Sequence, residues 1–148
     1  MKHIHLIIIL LILFCSSCKT DKTSKLFNEH LKSEYNLEIS NTETTFIIYS
    51  ENGCHSCNKE IEQFLDNNNL PENCILIYKA KYPNRERFDR WSSKFAGKLY
   101  LDRTEFFSNL QIDLNGSGKI VVIDKKIAEI KTFSPQENDF ETFLTPIL

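Results

Sequence analysis

Two cysteines three residues apart are the part of this chain best suited to chemistry. Cys54 and Cys57 enclose His55 and Ser56, and the motif lies between an apolar run and an amphipathic stretch. A C-x-x-C at a junction between a strand and a helix is typical of thiol–disulfide exchange, in which a thiolate attacks a disulfide sulfur. The same two thiols could instead supply half of a metal site, which would need further ligands elsewhere in the chain.

The two thiols are predicted to have different roles because they occupy different positions on the helix. Cys54 is expected at the helix N-terminus, where unpaired N–H groups and the helix dipole favour a thiolate. Cys57 lies four residues before Ile61, which places it on the apolar face. We therefore expect Cys54 to attack the substrate and Cys57 to resolve the mixed disulfide. His55 either tunes the thiolate through its imidazole or is an exposed loop residue, and the sequence leaves both open.

The residues that flank the motif predict strands and helices in alternation. Residues 45–50 are rich in β-forming side chains, and their continuous apolarity is typical of a strand covered on both faces. An amphipathic helix over 58–65 and a second buried strand over 74–78 complete a β-α-β unit. Before the motif, residues at helical spacing predict a first amphipathic helix, carrying Leu26, Phe27, His30, Leu31 and Tyr35.

The second half of the chain predicts a further helix, a hairpin and a closing helix. Two apolar runs joined by a short connection favour an antiparallel hairpin over residues 119–132. Charged residues within 84–90 are interpreted as a solvated face, and so are those at Lys125, Lys126 and Lys131. The remaining predicted features are a helix starting at Pro83-Asn84 with Phe88, Trp91 and Phe95 on one face, its end at Gly97, a strand over 99–101, a short helix from Asp102 and Glu105 to Leu110, and a last helix capped by Ser134-Pro135-Gln136-Glu137.

With this order of elements, the chain resembles the thioredoxin-like family, and within it the membrane-anchored thiol–disulfide oxidoreductases of the bacterial cell envelope. The resemblance covers residues 41–148 and rests on the C-x-x-C, the strand before it and the closing hairpin. It implies an α/β three-layer sandwich whose mixed central sheet ends in an antiparallel hairpin and a helix. It also implies that Cys54, the first cysteine, is the nucleophile. The family usually has a cis-proline facing the motif before the third core strand, where this chain has Ser117-Gly118.

The first residues of the chain have the pattern of an export signal. An unbroken apolar run, 6–14, is shorter than the ~20 residues of a membrane-spanning helix, and Ser16, Ser17 and Cys18 follow it. This arrangement resembles a bacterial lipoprotein signal peptide. The resemblance implies that residues 1–17 are removed and that Cys18 becomes the lipid-carrying N-terminus. Residues 18–40 are then a lipid-anchored tether and amphipathic helix, followed by the thioredoxin-like domain over 41–148.

The charge composition of the chain argues against nucleic acid as a binding partner. The chain has 148 residues, 18 basic and 20 acidic, with a formal net charge of -2 and no basic run, so nucleic acid is not an expected partner. A lipid anchor would hold the protein outside the cytoplasm, where disulfides persist. The expected partners are thiols or disulfides of exported proteins and a membrane redox protein. No cofactor is expected.

Three functions remain to be distinguished. The first is a cell-envelope thiol–disulfide oxidoreductase that uses Cys54 and Cys57. The alternative is a non-catalytic, lipid-anchored thioredoxin-like binding module in which Cys54 and Cys57 form a structural bridge. A third is a Cu(I) or Zn site, against which we note that the chain has no second C-x-x-C and that His30 is distant in sequence. Cys74 opens an apolar strand and is interpreted as a buried structural residue.

Overall fold

The computed structural model describes residues 22–104, 106–109, 114, 116–134, 136 and 139–144. The predicted signal peptide and Cys18 lie outside the described residues, and the predicted domain boundaries stay predictions. The helices and strands of the described chain are α1 (residues 22–35), β1 (Thr44–Ser50), α2 (His55–Asn67), β2 (Cys74–Lys79), α3 (Arg85–Lys94), β3 (Leu99–Asp102), α4 (Phe106–Asn109), β4 (Gly118–Ile123), β5 (Lys126–Thr132) and α5 (Phe140–Leu144). None of the helices described is long and apolar enough to cross a membrane.

The described strands form one mixed sheet in the order β3-β2-β1-β4-β5. β1 pairs with β2 in parallel, and β2 pairs with β3 in parallel. β4 runs antiparallel to both β1 and β5, so the last two strands form the hairpin predicted from the sequence. The predicted α/β sandwich, with a mixed central sheet and a C-terminal antiparallel hairpin and helix, is confirmed.

β1 lies at the centre of the sheet and supplies side chains to both of its faces. Side chains alternate along a strand, so Ile47 and Tyr49 join one core while Phe46 and Ile48 join the other. Helices cover both faces, which explains why the strand reads as continuously apolar rather than alternating. The first core includes Ile61 of α2, Trp91 of α3 and Phe140 of α5, and the second includes Phe27 of α1 and Phe107 of α4.

α1 packs closely against the sheet. Phe27 and Leu31 are fully buried, and the Phe27 ring meets the Phe46 ring edge-on at 5.1 Å between centroids. The Ser24 hydroxyl accepts a 3.0 Å hydrogen bond from the backbone N–H of Ile127 at the start of β5. The predicted amphipathic helix is therefore a layer of the same body as the sheet.

The β4–β5 turn and the start of α3 lie where the sequence predicted them. The β4–β5 turn is built by Asp124 and Lys125, which both have positive φ angles of 50° and 64°, as in the two-residue turns that match the twist of a hairpin. The Asn84 side chain accepts a 3.0 Å hydrogen bond from the backbone N–H of Arg87 and thereby caps α3. This helix begins at Arg85, directly after the predicted start at Pro83-Asn84.

The start of the last helix was predicted wrongly. Ser134 and Gln136 are not helical, and α5 begins at Phe140. Its cap is Asp139, whose carboxylate accepts a 2.6 Å hydrogen bond from the backbone N–H of Thr142. Asp139 lies five residues downstream of the predicted cap, Ser134, and both residue types can accept a hydrogen bond at this position. Pro135 and Glu137 lie outside the described residues.

Candidate active site

Cys54 occupies the N-cap position of α2, where its sulfur meets the first turn of the helix. Its backbone angles of φ −57° and ψ 127° are not helical, and its sulfur accepts a hydrogen bond from the backbone N–H of Cys57 at 3.4 Å. The Ser56 hydroxyl oxygen lies 3.0 Å from the same sulfur. Cys54 is exposed and Cys57 is buried on the apolar face of α2, which is the arrangement the sequence predicted.

These surroundings separate the acidities of the two thiols. Hydrogen bonds from the Cys57 thiol, from the Ser56 hydroxyl and from the Cys57 backbone N–H lower the pKa of Cys54 to about 7. Burial, followed by the hydrogen bond to Cys54, raises the pKa of Cys57 to about 11. Near neutral pH about half of Cys54 is therefore a thiolate, while Cys57 holds its proton. Only the thiolate is nucleophilic, so Cys54 is the more nucleophilic of the two sulfurs near neutral pH.

The turn between β1 and α2 is compact. The backbone N–H of Gly53 donates to the Ser50 carbonyl at 2.9 Å, and the backbone N–H of Asn58 donates to the Cys54 carbonyl at 2.9 Å. A Cβ atom on Gly53 would lie 3.0 Å from the Ser50 carbonyl oxygen and 3.1 Å from the Asn58 side-chain oxygen. Glycine is therefore the residue that lets the chain pass close to the end of β1 before presenting Cys54.

A closed set of hydrogen bonds lies directly behind this turn, and we call it the polar ring. The Ser117 hydroxyl accepts from the backbone N–H of Ser50 at 2.9 Å and donates to the Asn58 side-chain oxygen at 3.1 Å. The Asn58 amide donates in turn to the carbonyls of Ser50 at 2.9 Å and Glu51 at 3.2 Å. Ser50, Asn58 and Ser117 are all buried. Sequence reasoning placed Ser117 near the motif but missed Asn58, which no pattern distinguishes from an ordinary helix residue.

Gly118, the residue after Ser117, permits the close approach of β4 to its neighbours. A Cβ atom there would lie 2.4 Å from the Lys131 carbonyl oxygen and 2.6 Å from a methyl group of Leu114. The Ser-Gly pair at 117–118 therefore has two separate structural functions. The serine supplies a hydroxyl to the polar ring, and the glycine supplies space.

A charged cluster connects the end of β1 with α2 and α3. Arg87 donates to the Tyr49 hydroxyl at 2.7 Å and contacts carboxylate oxygens of Glu51 at 3.3 Å and Glu62 at 3.0 Å. The Tyr78 hydroxyl donates to Glu51 at 3.1 Å. The interpretation of residues 84–90 as a solvated face is wrong for Arg87, whose side chain is only 21% exposed. The partners of Arg87 lie in β1, in the turn after β1 and in α2, so the helical spacing of residues 84–90 could not reveal the cluster.

The other candidate residues lie in different surroundings. His55 is exposed in the first turn of α2. Cys74 is buried and pairs with Thr45, at the end of β1 opposite the motif, about 16 Å away along the strand. Burial raises the pKa of Cys74 to about 11, so it has the properties of a structural thiol. His30 is buried and stacks on Phe106, at 3.6 Å between ring centroids, beside the core on the other face of the sheet.

A buried lysine near the hairpin was missed by sequence reasoning. Lys119 of β4 is 1% exposed, with its ammonium 3.2 Å from a Glu129 carboxylate oxygen and 5.1 Å from the centre of the Phe143 ring. Its position inside an otherwise apolar strand was the signal that could have marked it as buried. Within the described part of the chain, no group of three or more His, Cys, Asp or Glu side chains is arranged to hold a metal ion.

Comparisons with known proteins give distant structural similarity. No protein-family model and no curated protein sequence matches the chain. An uncharacterised thioredoxin-like protein from Porphyromonas gingivalis is similar at 14% identity and a TM-score of 0.44, over 74% of this chain and 76% of that one. A thioredoxin-like protein from Parabacteroides distasonis is similar at 11% identity and a TM-score of 0.40, over 72% of this chain and 79% of that one. At these values the fold assignment depends on the sheet topology of this chain itself.

Proposed function

We propose that this protein is a cell-envelope thiol–disulfide oxidoreductase that exchanges disulfides of exported proteins through Cys54 and Cys57. The observation that supports the proposal most strongly is the difference between the two thiols. Cys54 is exposed, caps a helix and has a pKa of about 7, whereas Cys57 is buried three residues later with a pKa of about 11. Disulfide exchange needs such a pair, because one sulfur must attack first and the other must wait for the mixed disulfide.

The proposed reaction proceeds in two displacements. The Cys54 thiolate attacks one sulfur of a substrate disulfide, which forms a mixed disulfide and expels the other substrate sulfur as a thiolate. That thiolate takes the proton of Cys57, and the Cys57 thiolate then attacks the Cys54 sulfur and releases the second substrate sulfur, which is protonated by water. Two electrons pass to the substrate, and Cys54 and Cys57 become a disulfide. A dithiol protein at the membrane would return the pair to its reduced form.

The proposed location depends on the N-terminal sequence. The small-small-Cys ending at Ser16, Ser17 and Cys18 supports removal of residues 1–17 and a lipid on Cys18. The exchange site would then face a compartment where disulfides persist. In cell fractionation, wild-type protein should sediment with membranes and the Cys18→Ser variant should not. Membrane association of that variant would contradict the lipid anchor while leaving the exchange chemistry to be judged separately.

Reduction of insulin by the full-length protein, with dithiothreitol as electron donor, tests the activity. Cys54→Ala/Cys57→Ala should lower the rate to that of dithiothreitol alone, and Cys57→Ser should accumulate a mixed disulfide through Cys54. Cys74→Ala is the matched control, because it removes a buried thiol at the opposite end of β1 and should leave turnover intact. Equal rates for the wild type and the double variant would refute the proposal.

One observation favours a second candidate, a non-catalytic binding module with a structural Cys54–Cys57 bridge. The position that faces the motif is occupied by Ser117, and its hydroxyl is directed into the polar ring. A serine at this position leaves the backbone beside the motif less rigid for substrate binding than a proline would. A module of this kind would leave insulin unreduced in the wild type as well as in the double variant.

A further inference from the structure

The polar ring satisfies backbone groups that the sheet leaves unpaired. The β1–β4 ladder ends with Ile48 opposite Gly118, two residues before the end of β1. The backbone N–H of Ser50 therefore lies beyond the ladder, and the Ser117 hydroxyl accepts its hydrogen bond at 2.9 Å. Buried backbone groups almost always have such a partner, because leaving one unpaired is costly. At this point a side-chain hydroxyl replaces a main-chain carbonyl.

The three members of the ring belong to three different segments around Cys54. Ser50 is the last residue of β1, Asn58 directly follows Cys57, and Ser117 directly precedes β4. The Ser50 carbonyl accepts from both the Asn58 amide and the Gly53 N–H, each at 2.9 Å. Gly53 also packs directly against the ring, since a Cβ there would come within 3.1 Å of the Asn58 oxygen. The ring thus holds the turn on both sides of the nucleophile.

We propose that the hydrogen-bonded ring of Ser117, Asn58 and the Ser50 backbone is a positioning device that fixes the Cys54 turn for disulfide exchange, an inference that rests on the proposed function. Its members do not touch the reacting sulfur directly. They act by holding the chain so that the Cys57 N–H and the Ser56 hydroxyl stay within reach of the Cys54 sulfur, at 3.4 and 3.0 Å. A proline at position 117 has no hydroxyl and could not close this ring.

Replacement of Ser117 by alanine tests whether the ring affects the reactivity of Cys54 beyond its effect on the stability of the fold. The variant leaves the Ser50 N–H and the Asn58 oxygen without their partner, which loosens the turn. The readout is the pH dependence of iodoacetamide labelling at Cys54 in the reduced full-length protein, measured by peptide mass spectrometry. We expect Ser117→Ala to move the labelling midpoint up by roughly one pH unit, which lowers the rate at pH 7 about fivefold.

A chemically matched control is available on the other face of the sheet. The buried Ser24 hydroxyl also accepts a hydrogen bond from a strand N–H, that of Ile127 at 3.0 Å, but it lies in α1. Ser24→Ala should lower the urea midpoint of unfolding to a similar extent and leave the Cys54 labelling midpoint unchanged. Ser117→Thr keeps a hydroxyl and should restore the wild-type midpoint.

The result that overturns the inference is an unchanged Cys54 midpoint in Ser117→Ala, or an equal shift in Ser24→Ala. If Ser117→Ala does not fold, Asn58→Ala removes the ring member that lies in α2. Alanine favours a helix, so this variant should fold, and an unchanged Cys54 midpoint in it would likewise overturn the inference. Labelling requires no turnover, so the inference is judged separately from the activity. If the Cys54 midpoint responds to Ser117→Ala but the protein does not reduce insulin, the positioning role of the ring stands and the proposed function is refuted.

Discussion

The Ser56 hydroxyl oxygen lies 3.0 Å from the Cys54 sulfur, inside the two-residue span of the C-x-x-C itself. A hydroxyl at this distance can donate to the thiolate but has no equivalent benefit for the neutral thiol, so it favours ionisation. A residue within the C-x-x-C motif therefore helps to lower the pKa of Cys54. His55, the other residue between the cysteines, is exposed, and the hydrogen bonds that lower the pKa of Cys54 come from Cys57 and Ser56.

Ser56→Ala should raise the pKa of Cys54 from about 7 towards its ordinary value, because one donor to the thiolate is lost. The midpoint of iodoacetamide labelling at Cys54 reports this pKa directly. His55→Ala is the control at the adjacent position and should move the midpoint less. A larger effect of His55→Ala would show instead that the imidazole tunes the thiolate, the possibility that the sequence left open.

The rate of exchange should rise with pH through about 7 and then level off. The reason is that the reactive form is the Cys54 thiolate, whose pKa is lowered to about 7, so that protonation at acidic pH removes the nucleophile. Cys57 and Cys74 have pKa values raised to about 11, and neither contributes a thiolate in this range. The initial rate of the first exchange step, followed between pH 5 and 9, measures the midpoint. A rate that is flat over this interval would be inconsistent with Cys54 as the attacking group.

Arg87→Ala should destabilise the fold by about 2–3 kcal/mol, because it leaves the carboxylates of Glu51 and Glu62 close together without their cation. Both carboxylates are mostly shielded from solvent, at 22% and 24% exposure, which limits their screening by water. Urea unfolding measures the change in the free energy of unfolding. The matched control is Arg85→Ala, whose side chain is 93% exposed beside Asp89 and should change stability by less than about 1 kcal/mol. Equal effects of the two variants would mean that the cluster contributes little.

Gly118→Ala should cost about 1–3 kcal/mol, since the added methyl group would meet the Lys131 carbonyl oxygen at 2.4 Å and force β4 away from its neighbours. Gly116→Ala provides the comparison two residues earlier, where the nearest atom to an added Cβ is 3.9 Å away. Thermal or urea unfolding of both variants checks the prediction. A Gly118→Ala variant as stable as Gly116→Ala would show that the strand can shift without cost.

Local patterns predicted the elements better than they predicted the site. β1, β2 and β4 were predictable because their apolar runs are nearly continuous, and the difference between Cys54 and Cys57 followed from helical position alone. The polar ring was not predictable, because Ser117 is 67 residues from Ser50 and 59 from Asn58, and all three residues are ordinary in type. The same reason hid the cluster around Arg87. The start of α5 was mistaken because Ser134 and Asp139 both have capping chemistry, and only tertiary packing selects between them.

The reduction potential of the Cys54/Cys57 pair distinguishes an exchangeable disulfide from a structural bridge. It can be measured on the full-length protein by equilibration with dithiol buffers, alkylation and mass spectrometry of the peptide that carries both cysteines. A thiolate stabilised at Cys54 favours the reduced form and makes the pair exchangeable, so we expect a potential above about −300 mV. A potential well below about −300 mV would identify a structural bridge and contradict the proposed exchange.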